Sequence, residues 1–351
     1  LKMGYDNKAS DIHIEPYETR TLLRFRIDGI LHDIAEIPKS FHDLLITRIK
    51  ILSRLRTDEH RAAQDGRLRF KLPNDKVDMR VSIVPVIHGE KVVLRLLSEK
   101  ARQYDLPNLG FSKINLTKIN NSIKNPWGMI LVTGPTGSGK TTTLYSVLKI
   151  LNKREVNIST IEDPVEYDID GINQIQVNPK TGLTFEKGLR SIVRQDPDII
   201  MVGEIRDKET AQIAINSAMT GHLVLSTLHT NDAATTLPRL LDMGIKPFLV
   251  ASTINIIIAQ RLVRKICEKC RYKIKISTET IALINKQLSP ALISKFKLTD
   301  PNLDLYYGKG CKYCQDTGYQ GRQGIFEILE ITDEIKKLIM EKVNASNLKE
   351  A

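Results

Sequence analysis

The sequence predicts an α/β protein in which a small α/β domain precedes a larger domain built on a parallel sheet. Three apolar runs, Met129–Val132, Ile199–Val202 and Leu223–Leu225, are continuous rather than alternating, and helical segments separate them. Strands that are apolar on both faces are typical of a parallel sheet covered by helices on each side. A glycine-rich segment follows the first run, and the chain's 4 cysteines stand in two matched pairs near its end.

Residues 1–103 are predicted to form the small domain. Apolar and charged residues alternate from Leu23 to Asp28, which predicts a half-buried strand ending at the hairpin signal Asp28-Gly29. Further strands are expected at Met79–Ile83 and Val92–Leu96, around a turn at His88-Gly89. Helical spacing predicts a helix whose apolar face is formed by Phe41, Leu44, Leu45, Arg48, Ile49, Leu52 and Leu55.

The remaining 248 of the 351 residues are divided by composition. A linker is expected at 104–112, where Pro107 and Gly110 interrupt any periodicity. The core of the larger domain is then predicted at 113–264, the cysteine-bearing insertion at 265–324, and a charged helical region at 325–351. Because the chain begins at Leu1 rather than methionine, an N-terminal part is expected to be missing.

Composition bears on location and partners. The most apolar region, 248–263, is short and interrupted by polar residues, and no signal peptide opens the chain, so a cytoplasmic location without membrane insertion is predicted. The net charge of +11 fits a surface for nucleic acid or anionic lipid, or a solvated surface with arginines that meet phosphates. The second explanation is favoured because the basic residues are spread along the chain, and nucleic acid is not an expected partner.

The glycine-rich segment matches the pattern G-x-x-x-x-G-K-[ST] in full. A strand-like segment (127–133) precedes it and a helix-like segment (141–150) follows, as a phosphate-binding loop requires. Its amides and the helix N-terminus suit phosphate oxygens, while Lys140 is expected on the β- and γ-phosphates and Thr141 on Mg²⁺. The predicted nucleotide-binding residues are Gly134, Pro135, Thr136, Gly137, Ser138, Gly139, Lys140, Thr141 and Thr142.

Two acidic clusters follow at the ends of apolar strands. Glu162 ends the segment beginning at Ile158, and Glu204 ends the segment beginning at Asp198. In an open parallel sheet, ligands bind outside the carboxyl ends of the strands, so both side chains are expected near the phosphates. A single carboxylate in such a place often only caps a helix. Two carboxylates after a complete phosphate loop favour Mg²⁺ binding and activation of water.

Two histidines bracket a third strand of this kind. His222 and His229 enclose the apolar segment 223–228. A neutral imidazole there could sense a γ-phosphate. Spacing alone favours a structural hydrogen-bonding role for both.

The cysteines form the pairs Cys267-x-x-Cys270 and Cys311-x-x-Cys314, separated by 40 residues. Two such pairs in an intracellular protein predict a tetrahedral Zn²⁺ site more readily than disulfides. The metal's role would be structural, holding together an insertion too small to bury its own core. Four free or redox-active cysteines are the alternative.

These blocks, in this order, resemble the secretion ATPase superfamily that powers type II secretion and type IV pili. The resemblance covers nearly the whole chain. It rests on the segments Ser10–Pro16, Arg24–Gly29, Gln64–Arg67, the phosphate loop, Ile161–Pro164 (similar to the family's Asp box), Gly203-Glu204 (an atypical Walker B) and Gly221–His229 (similar to its His box).

The resemblance implies a fold and an assembly. The small N-terminal domain would be PAS-like and the larger one a RecA-like P-loop domain with a zinc-binding insertion. The chain would form a homo-hexameric ring, with ATP between the two domains. An inner-membrane platform protein would be its partner.

The resemblance also implies roles for particular residues. Glu162 would be the general base and Glu204 the acid acting on Mg²⁺ through water, with His222 and His229 as phosphate sensors. Arg24 would bind phosphate from the first domain. Lys39 stands where the family often has arginine, and it keeps the charge without the planar fork.

Arg190 and Arg194, four residues apart on a predicted helix, match arginines that the family places near the nucleotide or a subunit contact. An exposed helix face explains this pair equally well.

The predicted function is that of an ATPase motor, hydrolysing ATP to ADP and phosphate, for type IV pilus assembly or type II protein secretion. The paired cysteines favour assembly or secretion, since retraction members generally lack them. A retraction or DNA-uptake motor of the same superfamily is one alternative. A zinc-containing nucleic-acid-binding protein is another.

Overall fold

The computed structural model describes residues 1–72, 75–97, 105–288, 290–300, 303–341 and 347–348. The chain divides into two compact units, a larger one of residues 1–262 with 324–351 and a smaller one of residues 263–323. The predicted boundary between residues 103 and 104 lies outside the described residues.

The first domain of the larger unit is a six-stranded antiparallel sheet with the order β3-β2-β1-β6-β5-β4. The predicted strand and hairpin are confirmed. Phe25 is buried in β2, and Asp28 and Gly29 take positive φ angles of 50° and 89° in the two-residue turn to β3. The elements are α1 (Lys2–Asp6), β1 (Asp11–Pro16), β2 (Arg20–Ile27), β3 (Ile30–Pro38), α2 (His42–Leu52), β4 (Gln64–Leu72), β5 (Asp75–Val86) and β6 (Gly89–Leu97).

Helix α2 forms where helical spacing predicts it, but the predicted apolar face is only partly confirmed, since Ile49 is buried and Leu55 packs against the same core. Phe41, Leu44 and Leu52 are exposed. The face that packs on the sheet instead carries His42, Ile46, Ile49 and Lys50. The buried ammonium of Lys50 is satisfied by the carboxylate of Glu90, which allows a charged residue to occupy a core position.

The second domain is a seven-stranded sheet with the order β15-β12-β7-β11-β10-β8-β9, in which β7 to β12 run parallel and β15 (Tyr319–Glu330) forms one edge. Its elements up to the smaller unit are α3 (Lys113–Ile123), β7 (Gly128–Thr133), α4 (Lys140–Leu151), β8 (Ile158–Glu162), β9 (Asn173–Gln176), α5 (Phe185–Ile192), β10 (Ile199–Val202), α6 (Lys208–Met219), β11 (Leu223–Leu228), α7 (Thr236–Asp242), α8 (Pro247–Thr253) and β12 (Ile254–Ile266).

Both faces of this sheet are covered, as the continuous apolar runs predict. Met129 and Leu131 of β7 enter a core shared with α5, α6 and α8. Ile130 and Val132 enter a second core with α3 and α4 on the opposite face. Burial on both faces is why the central strands are uniformly apolar.

The segments that flank this domain differ in part from the prediction. Within the expected linker, residues 106–109 form a 3₁₀ turn, and Leu106 is buried in the α3–α4 core. The region from 325 is not helical throughout. Its first residues belong to β15 (Tyr319–Glu330), and α11 (Asp333–Met340) follows. Residues 325–330 are strand because they add an edge to the sheet beside β12.

The smaller unit contains a two-stranded antiparallel ribbon and helices. The ribbon pairs β13 (Arg271–Ile274) with β14 (Leu305–Gly308), and α9 (Thr278–Gln287) and α10 (Pro290–Phe296) lie between them in the chain. All four cysteines belong to this unit. Among the described residues, none of the helices combines the length and apolar character that crossing a bilayer demands.

Candidate nucleotide site and cysteine cluster

One edge of the parallel sheet gathers the predicted catalytic groups. β8, β10, β11 and β7 are neighbours in that order and run in one direction, so the residues that follow them emerge together. Glu162 ends β8, Glu204 lies two residues beyond β10, His229 follows β11 and the glycine-rich loop follows β7. Loop, carboxylates and one imidazole therefore share the edge where ligands bind in open α/β sheets.

The loop is shaped by its glycines and by β12. Gly134, Gly137 and Gly139 have positive φ angles of 142°, 78° and 89°. A Cβ atom on Gly134 would meet the carbonyl oxygen of Gln260 and lie 2.8 Å from Ser138 Oγ, so only glycine fits. The Gln260 side chain holds the loop in place, since its Nε2 donates to the carbonyl of Ser138 at 2.7 Å.

Lys140 begins α4 and lies over the loop. Its Nζ donates to the carbonyl oxygens of Gly134 and Pro135 at 2.9 and 3.2 Å. Burial lowers the pKa of the ammonium, and the charge of Glu204 opposes that shift. Thr141 and Thr142 occupy the next positions of the same helical turn.

The residues of the loop fit a triphosphate. The chain bends through glycine positions where a side chain would fill the cradle, and a buried lysine lies at its centre. Ser138 Oγ is buried and has no hydrogen-bond partner among the residues that the structure describes. Such a polar, closely approachable loop at a helix N-terminus is suited to phosphate oxygens.

Glu204 is held between two basic groups. Oε1 lies 2.6 Å from Arg206 Nη2, and Oε2 lies 3.2 Å from His229 Nε2. Burial alone would raise the pKa of this carboxyl. The hydrogen bond and charge of Arg206, together with His229, lower it by more than burial raises it, so the net pKa is below the ordinary value. Glu204 is therefore ionised at neutral pH, as a group acting on Mg²⁺ requires.

Glu162 has a different environment. It is 2% exposed and accepts hydrogen bonds from the hydroxyls of Tyr145 and Thr160 and from Gln174 Nε2, the last two at 2.6 and 3.1 Å. Burial raises its pKa above the ordinary value, although all three donors pull the other way. The structure thus holds two carboxylates at one edge with pKa values displaced in opposite directions, which is the usual arrangement when one acts as a base and the other stays ionised.

The structure does not bring every predicted residue to this edge. His222 precedes β11 at the opposite end of the strand and bonds the carbonyl of Ser217 at 2.9 Å. The six residues of β11 separate His222 from His229, which places their Cα atoms about 23 Å apart along the strand.

The predicted arginines and Lys39 also have partners elsewhere. Arg190, exposed on α5, pairs with Glu186 at 3.1 Å, and Arg194, exposed in the turn just after α5, bonds Ser191. Within the first domain, Arg24 bonds Asp33 at 2.8 Å, and Lys39 bonds the carbonyl of His88.

Several residues of the site were missed by the sequence analysis. Tyr145 and Gln174 surround Glu162, Arg206 binds Glu204, and Gln260 supports the loop. Arg206 stands two residues after Glu204, so its proximity could have been noticed. Nothing in the pattern marks the other three, because they are brought in by β9, β12 and the buried face of α4.

The four cysteines come together as predicted. Their Sγ atoms lie within 4.8 Å of one another, with Cys314 Sγ at 3.8 Å from Cys270 and 3.7 Å from Cys311. A tetrahedral zinc with Zn–S bonds of about 2.3 Å separates its sulfurs by about 3.8 Å, so the donors and their spacing fit this metal. These separations exceed a disulfide bond, and all four are thiols.

Fold and site together define the class of P-loop nucleoside-triphosphate-binding α/β proteins, with a four-cysteine cluster in addition. Comparison with protein families matches residues 1–351 to the family described as "Type II/IV secretion system protein", and the chain belongs to this family.

Two relatives are similar in sequence over nearly the whole chain. The type IV pilus assembly ATPase PilB of Myxococcus xanthus is 48% identical over 98% of this chain. The type II secretion system ATPase E of Vibrio cholerae is 48% identical over 94% of it. The chain spans 59% and 64% of the length of these two relatives.

Solved structures share the fold. The pilus retraction motor PilT, determined with bound ADP, is 26% identical and superposes with a TM-score of 0.66, covering 99% of this chain and 86% of that one. The ATPase DotB of Legionella pneumophila has a TM-score of 0.69 at 21% identity, covering 100% of this chain and 84% of that one, which indicates the common fold alone.

Proposed function

We propose that this protein is an ATPase motor that hydrolyses ATP to ADP and phosphate to drive type IV pilus assembly or type II protein secretion. The observation that carries this proposal is the shared edge of β7, β8, β10 and β11, where Lys140, Glu162 and Glu204 converge. Two relatives at 48% identity, named as ATPases of these two systems, support the same conclusion.

The residues take the following roles in this proposal. The backbone N–H groups of 136–141 and the ammonium of Lys140 bind the triphosphate. Thr141 and Glu204 would hold Mg²⁺, Glu204 through water. Mg²⁺ would supply charge neutralisation at the phosphates. Glu162 accepts the proton of the attacking water, because a carboxyl with a raised pKa is a better base than an ordinary one.

Two further residues of the edge are assigned by their contacts. His229 responds to the state of the γ-phosphate through its bond to Glu204. His222 fixes the start of β11 to the end of α6, since its imidazole bonds the Ser217 carbonyl and lies 3.4 Å from the Thr220 hydroxyl.

The assembly is part of the same proposal. We infer a homo-hexamer in which Arg24, Lys39, Arg190 and Arg194 act at nucleotide or subunit contacts, because each is exposed or partly exposed and the partner described above for each lies outside the phosphate loop. The first domain is PAS-like and the second RecA-like, consistent with their sheet orders. The four cysteines would bind Zn²⁺. An inner-membrane platform protein is the partner through which the motor works at the membrane.

Assembly or secretion is preferred to retraction on one observation. The relatives named for assembly and secretion are 48% identical, whereas the retraction motor PilT is 26% identical. A nucleic-acid-binding protein would instead require steeply salt-dependent binding of DNA and hydrolysis that depends on DNA.

The proposal is tested by steady-state phosphate release from the purified oligomer and its variants Glu162→Gln and Glu204→Gln. We expect wild type to release phosphate from MgATP without DNA, and each variant to lose about a hundredfold or more in kcat. Glu209→Gln, an exposed residue in the first turn of α6, serves as the control and should retain activity. Unchanged turnover in both site variants would exclude the assigned roles.

A further inference from the structure

The pocket around Glu162 is closed and its hydrogen bonds are directional. Tyr145, Thr160 and Gln174 all donate to the Glu162 carboxylate, and 2% of Glu162 is exposed. A carboxylate has about four acceptor positions, so three fixed donors set its orientation and leave one position for a further donor. Whatever fixes those donors also fixes the position from which Glu162 could take a proton.

Tyr145 is the central donor. Its ring is fully buried and packs edge-to-face on Tyr167 at 4.7 Å. Its hydroxyl oxygen accepts from the amide of Glu166 and from Gln174 Nε2, each at 3.3 Å. A phenolic oxygen has two acceptor positions and one proton. Because both acceptor positions are used, the proton is directed at Glu162.

The amide that orients Tyr145 is itself held from the first domain. Arg80 of β5 places Nη2 at 2.8 Å from the carbonyl of Val165 and at 3.0 Å from the carboxylate of Glu166. The Arg80 side chain is 20% exposed, so this pair is partly desolvated and stronger than a surface ion pair. One guanidinium thus fixes both sides of the peptide that joins Val165 to Glu166.

We propose that Arg80 and Tyr145 are positioning residues that relay the placement of the first domain to Glu162. The inference rests on the proposed role of Glu162 as the base. While Arg80 holds residues 165–166, the Glu166 amide aims the Tyr145 hydroxyl and Glu162 keeps one orientation. When the first domain moves away, the 165–166 peptide is released and the carboxylate loses its fixed donor.

The electrostatic surroundings of Glu162 are simple. Among the described residues, Tyr145 from α4 and Glu166 from the loop after β8 are titratable groups that face it, and the negative charge of Glu166 disfavours its ionisation. Arg80 lies behind Glu166 and compensates that charge. The neighbouring strands β8 and β9 contribute Thr160 and Gln174, which are neutral.

The test is the pH dependence of kcat/KM for Tyr145→Phe, Arg80→Gln and the double variant, measured as MgATP hydrolysis by the full chain. Tyr145→Phe removes a donor that favours the carboxylate, so the acid limb should move to higher pH and kcat should fall about tenfold to a hundredfold. Arg80→Gln should move the limb in the same direction, and Arg80→Lys should restore part of the loss. The double variant should lose no more than the larger single loss.

Arg67→Gln is the matched control. Arg67, on β4, also reaches the second domain, donating to Gln176 Oε1 at 2.6 Å, but it leads to neither Tyr145 nor Glu166. A general loosening of the domains would give Arg67→Gln and Arg80→Gln the same profile. That result, or a wild-type profile for Tyr145→Phe, would overturn the relay.

A second measurement separates failure of the relay from failure of the proposed activity. The free energy of unfolding of the four proteins in the Arg80/Tyr145 cycle needs no hydrolysis. The relay requires the two substitutions to be non-additive, while Arg67→Gln and Tyr145→Phe should add. If wild type releases no phosphate, the assignment of Glu162 as base fails. Additivity of Arg80 and Tyr145 overturns the relay whether or not phosphate is released.

Discussion

The ammonium of Lys50 lies 2.8 Å from the carboxylate of Glu90 inside the first domain, with side-chain exposures of 0% and 8%. Lys50 Nζ also donates to the carbonyl of Glu59 at 2.6 Å, and His60 Nδ1 lies 2.8 Å from the same Glu90 carboxylate. This pair ties α2 to the start of β6, the strand that pairs with both β1 and β5. The core of the domain is thus closed by an ion pair where an apolar contact is usual.

Breaking this pair from one side should destabilise the protein strongly. Lys50→Met leaves the Glu90 carboxylate buried with less compensation, and we expect a loss of about 3–5 kcal/mol in the free energy of unfolding. Urea unfolding of the full chain measures it. The combined variant Lys50→Met with Glu90→Leu should recover most of the loss, because no buried charge remains.

Lys118→Met is the control for that measurement. Lys118 pairs with Glu330 at 2.8 Å, but both side chains are 36% exposed. Its replacement should cost less than about 1 kcal/mol. Equal effects at positions 50 and 118 would show that burial does not set the strength of the Lys50–Glu90 pair.

Lys50 also shows where sequence patterns fail. Apolar spacing predicted α2 as a helix, because periodicity reflects local geometry. It placed Ile49 correctly but missed the burial of Lys50, since the partner of Lys50 stands 40 residues further along the chain. The spacing of apolar residues along one segment does not reveal which distant residue will pair with a lysine. A lysine in a predicted helix is therefore assigned to the solvent-exposed side.

Part of the candidate site could likewise be predicted from the sequence, and part could not. The loop residues 134–141 are contiguous, so their chemistry could be predicted, and Glu162 and Glu204 could be predicted because strand ends of a parallel sheet converge. The support of Glu162 could not. Tyr145 is 17 residues away, and Arg80 is separated from Val165 by 85 residues.

Removing the loop lysine should weaken nucleotide binding. Lys140→Ala deletes the buried ammonium that lies over the loop carbonyls, and the loss of a charge-assisted bond to phosphate should weaken MgATP binding about tenfold to a hundredfold. Equilibrium binding of a fluorescent ATP analogue measures it. Lys153→Ala, an exposed lysine just beyond α4, should bind like wild type. Equal affinity of Lys140→Ala and wild type would remove the phosphate loop from the mechanism.

The cysteine cluster should contain one zinc per chain. Elemental analysis of the purified protein checks the stoichiometry, and thiol titration checks the ligands. We expect slow reaction of the cysteines in the native protein and rapid reaction of four thiols once a chelator is added, because bound thiolates are protected. Replacement of the buried Cys267 by serine should lower the zinc content and expose the smaller unit to proteolysis. Recovery of fewer than four thiols from the denatured, metal-free protein would instead indicate disulfides.

The opposite pKa displacements of Glu162 and Glu204 predict opposite effects of pH on stability. The pKa of Glu162 is raised in the folded protein, chiefly by burial. Its contribution to stability is therefore complete below the unfolded pKa and is lost as pH rises through the folded pKa. Glu162→Gln cannot ionise and avoids this loss. Relative to wild type, its free energy of unfolding should increase as pH rises from about 4.5 toward neutrality.

Glu204 provides the internal comparison. Its folded pKa is lowered by Arg206 and His229 in spite of burial, so its contribution is present above the unfolded pKa and is lost as pH falls through the folded pKa. The difference between Glu204→Gln and wild type should accordingly be flat from about pH 5 to 7 and shrink only at lower pH. Urea unfolding of both variants across this range, without nucleotide, measures the two slopes. Parallel curves for the two variants would mean that Glu162 is not the buried, proton-retaining carboxyl on which its role as a base depends.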